Sequence, residues 1–174
     1  MQGFDYHISK ISLIEIEALV EISKNTFVTY FKEFNSEQNL NEYILQAFTI
    51  DKLSSEIANP DSEFYFAKYK NENVGYLKVN FARAQTELQD INSLEIERIY
   101  VIENFIGKKV GQLLFDKALE IAKKANLKYI WLGVWEQNFR AIRFYEKQNF
   151  VKFDTHIFKM GNDEQTDYLM KLIL

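Results

Sequence analysis

Along this chain, apolar residues recur at two different periods, and the switch between them marks out the elements. Over 11–31, Leu13, Ile16, Leu19, Val20, Ile22 and Phe27 fall on one side of a helix. A second helix is predicted over 40–48 and a third over 51–58, with Asp51 as its cap and Pro60 closing it. From 63 to 81 the period drops to two. Phe64, Phe66 and Lys68 alternate with Tyr65, Ala67 and Tyr69, and Asn71-Glu72-Asn73 turns the chain back into an antiparallel hairpin. The β-branched and aromatic run 94–102 is a further strand. After it, Val110, Leu113, Leu114, Ala118, Ile121, Ala122 and Ala125 form the buried stripe of a helix. Tyr129–Trp135 is almost continuously apolar, as a central strand covered on both faces should be. A short helix over 138–148 follows, with Asn149 suited to a left-handed cap. Strands over 150–160 and 166–174 flank a turn at Gly161-Asn162-Asp163. With no repeat and no Gly-, Pro- or Ser-rich linker, the order predicts a single α/β domain over 1–174, a mixed sheet flanked by helices.

Composition narrows the function more than the fold. The 174 residues suffice for a substantial core, and 47% hydrophobic with 26% charged residues is ordinary for a globular protein. Fifteen phenylalanines and ten tyrosines point to aromatic packing. No stretch approaches the ~20 apolar residues of a membrane span. The start, Met1-Gln2-Gly3-Phe4-Asp5-Tyr6, lacks the basic and apolar regions of a signal peptide, so the cytoplasm is expected. Without cysteine there is no thiol nucleophile and no disulfide, and with only His7 and His156 a multi-histidine metal site is excluded. No metal is expected. A net charge of −4, with both signs interspersed, argues against a non-specific grip on nucleic acid and mildly favours a cationic substrate.

The densest chemical signal is Ile106-Gly107-Lys108-Lys109-Val110-Gly111, between the 94–102 strand and the helix that opens at Val110. Strand, glycine turn and helix start leave several backbone N–H groups aimed at one spot, with the positive end of the helix dipole behind them. A phosphate suits such a place, and Lys108 and Lys109 add mobile positive charge. Taken by itself, the hexapeptide is equally an ordinary strand-to-helix connection.

A second motif joins it. Asn138-Phe139-Arg140-Ala141-Ile142-Arg143-Phe144-Tyr145-Glu146-Lys147-Gln148-Asn149-Phe150, in order after the turn, resembles the Asn-x-x-Ala-x-x-Phe-Tyr-x-x-x-Gly-Phe segment of the Gcn5-related N-acetyltransferase (GNAT) superfamily. The likeness spans nearly the whole chain. It implies a GNAT-type fold: a mixed, mainly antiparallel sheet flanked by helices, with splayed central strands. It also implies that the 106–111 turn holds the pyrophosphate of coenzyme A. Two residues depart from the family's Gln/Arg-x-x-Gly-x-Gly/Ala turn, Ile106 for a Gln or Arg and Lys109 for a glycine. Asn149 replaces a glycine but tolerates the same positive φ. Trp131-Leu132-Gly133-Val134-Trp135-Glu136, His156-x-Phe158-x-Met160-Gly161 and Gln165-Thr166-Asp167 are similar to the PaiA group of polyamine acetyltransferases, also described as regulators.

The resemblance implies an acetyl-CoA-dependent N-acetyltransferase acting on a small cationic amine such as spermidine or spermine. It leaves open a regulator that binds acetyl-CoA with little turnover. A DNA-binding regulator is disfavoured because no basic recognition helix exists. Tyr145 takes the family's place beside the cofactor sulfur as general acid; otherwise it is a core aromatic. Glu97 is the candidate base. Alternation puts Glu95, Glu97, Ile99 and Val101 on one strand face, where desolvation would raise the carboxyl's pKa toward a useful range. The alternative is a carboxylate paired with Arg98 or a lysine, with Glu95 as substitute base or as anchor for a second ammonium. A backbone N–H within Ile99-Tyr100-Val101 would stabilise the oxyanion, with the pantetheine arm pairing along that strand. Gly133 would mark the associated distortion. Asn138 is expected to bond the cofactor or to cap its helix, and His156 is expected to be structural. The expected partners are a small amine and, as an open option, a second copy in a homodimer; neither nucleic acid nor membrane is expected.

Overall fold

The computed structural model describes residues 5–160 and 163–174. Of the turn expected at Gly161-Asn162-Asp163, residues 161 and 162 lie outside the described residues and Asp163 is the first residue of a strand.

Strand β1 (Tyr6–Lys10) opens the chain, and α1 (Ile16–Phe31), α2 (Glu37–Ala47) and α3 (Ile50–Ala58) follow. The hairpin β2 (Ser62–Tyr69) and β3 (Glu72–Phe81) leads to β4 (Ser93–Val101) and α4 (Val110–Lys124). Then come β5 (Tyr129–Trp135), α5 (Phe139–Lys147), β6 (Val151–Met160) and β7 (Asp163–Ile173). The seven strands form one sheet in the order β1-β2-β3-β4-β5-β7-β6. Every neighbouring pair is antiparallel except β4 and β5. That parallel pair meets only at Ser93, Leu94 and Glu95, opposite Tyr129, Ile130 and Trp131, and then the strands part. The sheet therefore has a built-in opening at its centre.

Each face carries its own core. On one, Leu77, Val79, Leu94, Ile96 and Leu132 meet Leu114, Phe115 and Ala118 of α4. On the other, Phe64, Phe66 and Tyr76 meet Leu19, Ile22, Phe27, Leu40 and Leu53 of α1–α3. Aromatic residues dominate the second face, where Phe27 stacks on Tyr43 at 4.5 Å between centroids. Such pairs add about 0.5–1.5 kcal/mol beyond their buried area.

Several boundaries differ from the periodicity. The strand β1 was not expected: only Tyr6 and Ile8 alternate in it, too few to register as a period-two signal. The predicted helix 11–31 begins later, because Ile11 is still bonded to Phe64 O and a 3-10 turn at Leu13–Glu15 precedes α1. Helix α2 starts before 40, capped by Ser36, whose side chain accepts from Asn39 N. Thr49, not Asp51, caps α3 by accepting from Lys52 N. The hairpin turns at Lys70-Asn71 rather than at 71–73, with Lys70 at φ 54° and with Glu72 and Asn73 already in β3. The end of α5 follows expectation: Asn149 takes φ 67° and Phe150 N donates to Tyr145 O, a Schellman closure.

Candidate active site

The turn after β4 is shaped by two left-handed residues, Gly107 at φ 79° and Lys109 at φ 67°. Lys109 thus adopts the backbone that a glycine would take, and α4 starts immediately after it. Ile106 N and Lys108 N are consumed inside the turn, donating to Glu103 O and Phe105 O. The donors left for a ligand are those of Gly107 and Lys109 together with the first turn of α4, Val110, Gly111 and Gln112. A Cβ on Gly111 would touch nothing nearer than Val101 Cγ2 at 4.0 Å, and Gly111 lines the cleft, so the missing side chain keeps the amides open to a ligand. This arrangement fits a pyrophosphate.

A cleft of about 820 Å³ runs from this turn through the gap between β4 and β5. Ile106, Gly107, Lys109, Gly111 and Gln112 line its start. Two expected contributors do not line it. The Val110 side chain is in the core, and the Lys108 ammonium lies over the Phe105 ring, 5.0 Å from its centroid.

Along β4 the Val101 carbonyl accepts from the Tyr30 hydroxyl, whereas Ile102 N donates to Val74 O of β3. Backbone alternation then puts the polar groups of Ile99 and Val101 at the open edge and turns those of Tyr100 toward β3. Tyr100 contributes its ring instead, stacked on Tyr76 at 5.8 Å.

Glu95 and Glu97 do not share the strand face of Ile99 and Val101. The register passes from Lys78 opposite Arg98 to Val79 opposite Ile96, so Glu97 is the extra residue of a β-bulge. The bulge resets the alternation. Ile99 and Val101 belong to the α4 core, while Glu95, Glu97 and Arg98 face the opposite side of the sheet. The local distortion thus sits at Glu97, whereas Gly133 is a regular strand residue opposite Leu169.

Glu97 is also held in charged company. Lys78 Nζ lies 2.5 Å from Glu97 Oε2, and Arg98 Nη2 lies 3.0 Å from Oε1. Both cations also bind Glu56 of α3. Burial alone would raise the Glu97 pKa, but Arg98 and Lys78 outweigh it and hold the carboxyl below its ordinary value. Desolvation therefore does not raise Glu97 toward a base's range, and the pairing with Arg98 and a lysine is what forms. Desolvation does prevail at Glu95, which is 3% exposed and has a raised pKa. Glu95 accepts from Thr86 N, Thr86 Oγ1 and Asn80 Nδ2.

Tyr145 lines the cleft from α5, and burial raises its phenol well above the ordinary value. Asn138 caps α5, its Oδ1 accepting from Ala141 N at 3.1 Å, and it also lines the cleft. His156 Nδ1 lies 3.1 Å from Glu87 Oε1. Asp167 stands opposite His156 in the β6–β7 ladder, and burial pushes its carboxyl up to about 6. Sequence reasoning missed Asn80, Thr86 and Glu87. A buried asparagine between Val79 and Phe81 is a readable signal for the first, while the other two lie in a loop with no pattern.

The acetyltransferase (GNAT) family profile matches residues 18–150. The chain belongs to the GNAT family. As a GNAT N-acetyltransferase it uses acetyl-CoA as acetyl donor. A Lactobacillus delbrueckii subsp. lactis protein, described as an uncharacterized N-acetyltransferase in the pepI 3' region, is 39% identical over 167 residues, covering 96% of each chain. The spermidine N(1)-acetyltransferase of Thermoplasma acidophilum is 26% identical over 152 residues, covering 85% of this chain and 89% of its own. The crystal structure of the PaiA N-acetyltransferase from Thermoplasma acidophilum in complex with coenzyme A superposes with a TM-score of 0.82 at 25% identity. It covers 98% of this chain and 99% of that one. This GNAT protein is thus PaiA-like in fold, with β4 and β5 splayed as the resemblance implied.

Proposed function

We propose that this GNAT protein acetylates a primary amine of a small polycation of the spermidine or spermine type. The observation that carries the reading is the cleft wall: Glu87, Glu95, Glu97 and Asp167 line the same cleft as the α4 turn and Tyr145. The Thermoplasma relative named for spermidine acetylation supports it independently.

An alkylammonium has a pKa near ~10.4 and must lose a proton before it can attack. Glu97, kept ionised by Arg98 and Lys78, anchors one ammonium. Glu95, raised by burial, takes the proton from the reacting amine, directly or through one water. Bound acetyl-CoA supplies the activated acetyl thioester. The amides of Gly107, Lys109, Val110, Gly111 and Gln112 hold its phosphates. Backbone N–H groups of Ile99 and Val101, at the open edge of β4, donate where negative charge develops. Tyr145, whose buried phenol stays protonated at neutral pH, holds the proton for the departing thiolate.

The reading is tested by thiol release from acetyl-CoA across spermidine, spermine, a neutral arylamine and a peptide N-terminus. Spermidine and spermine should turn over fastest. Inert polyamines beside an efficiently acetylated peptide would overturn the substrate assignment and leave the acetyltransferase assignment intact.

A further inference from the structure

Asn80 lies next to the last residue of β3, fully buried, and both atoms of its amide are bonded. Its Nδ2 donates to Glu95 Oε2 at 2.9 Å and to Glu97 Oε2 at 2.5 Å. An amide nitrogen has two hydrogens, so each carboxylate receives one. On the other side the Ser62 hydroxyl donates to Asn80 Oδ1 at 2.9 Å. A reversed amide would set its oxygen against two carboxylates that can only accept, so Glu95 and Glu97 fix its orientation, and the Ser62 hydroxyl, able to donate or accept, donates to the oxygen left facing it. Ser62 itself sits opposite Asn80 in the β2–β3 register, and Asn80 sits opposite Glu95 in β3–β4. The bulge at Glu97 brings the second carboxylate within reach of the same nitrogen.

We infer that Asn80, backed by the Ser62 hydroxyl, is a positioning residue that ties Glu95 and Glu97 into one unit and sets the pH at which the pair can take a proton. The inference rests on the proposed role of the two carboxylates in amine deprotonation. Its physical basis is that a hydrogen bond to a carboxylate favours the ionised form. Two carboxylates side by side disfavour double ionisation, and the shared amide offsets that repulsion without adding charge. The surrounding charges are fixed by other elements: Lys78 and Tyr76 on β3, Arg98 on β4, Glu56 on α3 and Tyr43 on α2. Glu87, His156 and Asp167 line the same cleft.

The test uses Asn80→Ala, Asn80→Asp and Ser62→Ala in the full chain, with circular dichroism and calorimetric CoA affinity as checks that each variant folds. The first readout is the pH profile of kcat/KM with spermidine. Asn80→Ala should move the acidic limb up by about one pH unit, a tenfold change in the protonation equilibrium. Asn80→Asp should move it further, because a third carboxylate joins the pair, and Ser62→Ala should move it less in the same direction. The second readout needs no turnover: 13C titration of the glutamate side-chain carboxyls, assigned with Glu95→Gln and Glu97→Gln. The Glu95 midpoint should rise in Asn80→Ala. Unchanged midpoints, a downward shift, or a uniform loss of rate with no displacement of the limb would each reduce Asn80 to a packing residue. If no amine is acetylated by the wild type, the functional reading fails while the carboxyl titration still decides the role of Asn80. A variant that does not fold leaves the decision to the other two.

Discussion

Tyr145 is fixed by its neighbours before it does any chemistry. Its ring centroid lies 5.3 Å from that of Phe144 and 5.5 Å from that of Phe150, and the α5 closure bonds its carbonyl to Phe150 N. A phenol so held reaches the cleft in one rotamer and, being desolvated, keeps its proton. Tyr145→Phe preserves the ring and its packing, so folding and CoA affinity should be unchanged. Turnover should fall on the order of 10²-fold if the phenol is the general acid. Unchanged single-turnover rates in that variant would make Tyr145 a packing residue only. Tyr145 was legible because its place inside a long motif is tied to helix geometry. Glu97 was only half legible. Its identity as a carboxylate on β4 and a pairing with the adjacent Arg98 could be read, but Lys78, which also holds it ionised, meets it only through the pairing of β3 with β4.

At the scale of elements, two glycines with opposite duties make a sharper test than either alone. A Cβ at Gly75 of β3 would lie 2.7 Å from the Tyr100 carbonyl and 3.2 Å from Leu114, so β3, β4 and α4 meet there at backbone distance. Gly75→Ala should destabilise the fold by about 1–3 kcal/mol, as overpacking does. Gly111→Val meets open space on the protein side and should leave thermal stability nearly unchanged or slightly raised, because valine has a higher helix propensity than glycine. The same substitution fills the amide cradle, so CoA affinity should drop. Equal effects of the two variants on stability, with unaltered CoA titration for Gly111→Val, would refute the cradle. Neither duty is visible in a glycine's letter code: the strand pattern places Gly75 in β3 but not against Tyr100. The bulge at Glu97 escaped for the same reason, since period-two alternation carries no mark of an inserted residue. The long periodic elements, by contrast, were readable because burial of one face imposes the period directly.

Across the whole molecule the cleft is polarised. Lys109 lines it at the α4 turn and Arg140 bonds the Tyr30 hydroxyl beside Val101, while Glu95 and Glu97 line it by Arg98 and Glu87 and Asp167 line it by His156. An anionic cofactor and a cationic acceptor would therefore be drawn to opposite parts of one opening. Among the described residues no helix is long and apolar enough to cross a membrane. Asp167 makes the acceptor side sensitive to pH. Its carboxyl rests at about 6 because burial disfavours the charge, His156 partly offsets this and Glu136 adds to it. In the ligand-free protein, then, this group favours folding most when protonated, and its contribution declines as pH rises from the unfolded value of 3.8 through about 6. A polycation bound as proposed would reverse the preference by pairing with the ionised form. The KM for spermidine should accordingly rise several-fold between pH 7 and pH 5 as Asp167 gains its proton, and should rise with ionic strength at fixed pH. Asp167→Asn should raise KM at pH 7 and flatten this part of the pH dependence, with kcat affected less. A spermidine KM that is flat from pH 5 to 7 in the wild type, or equally steep in Asp167→Asn, would remove Asp167 from the acceptor site.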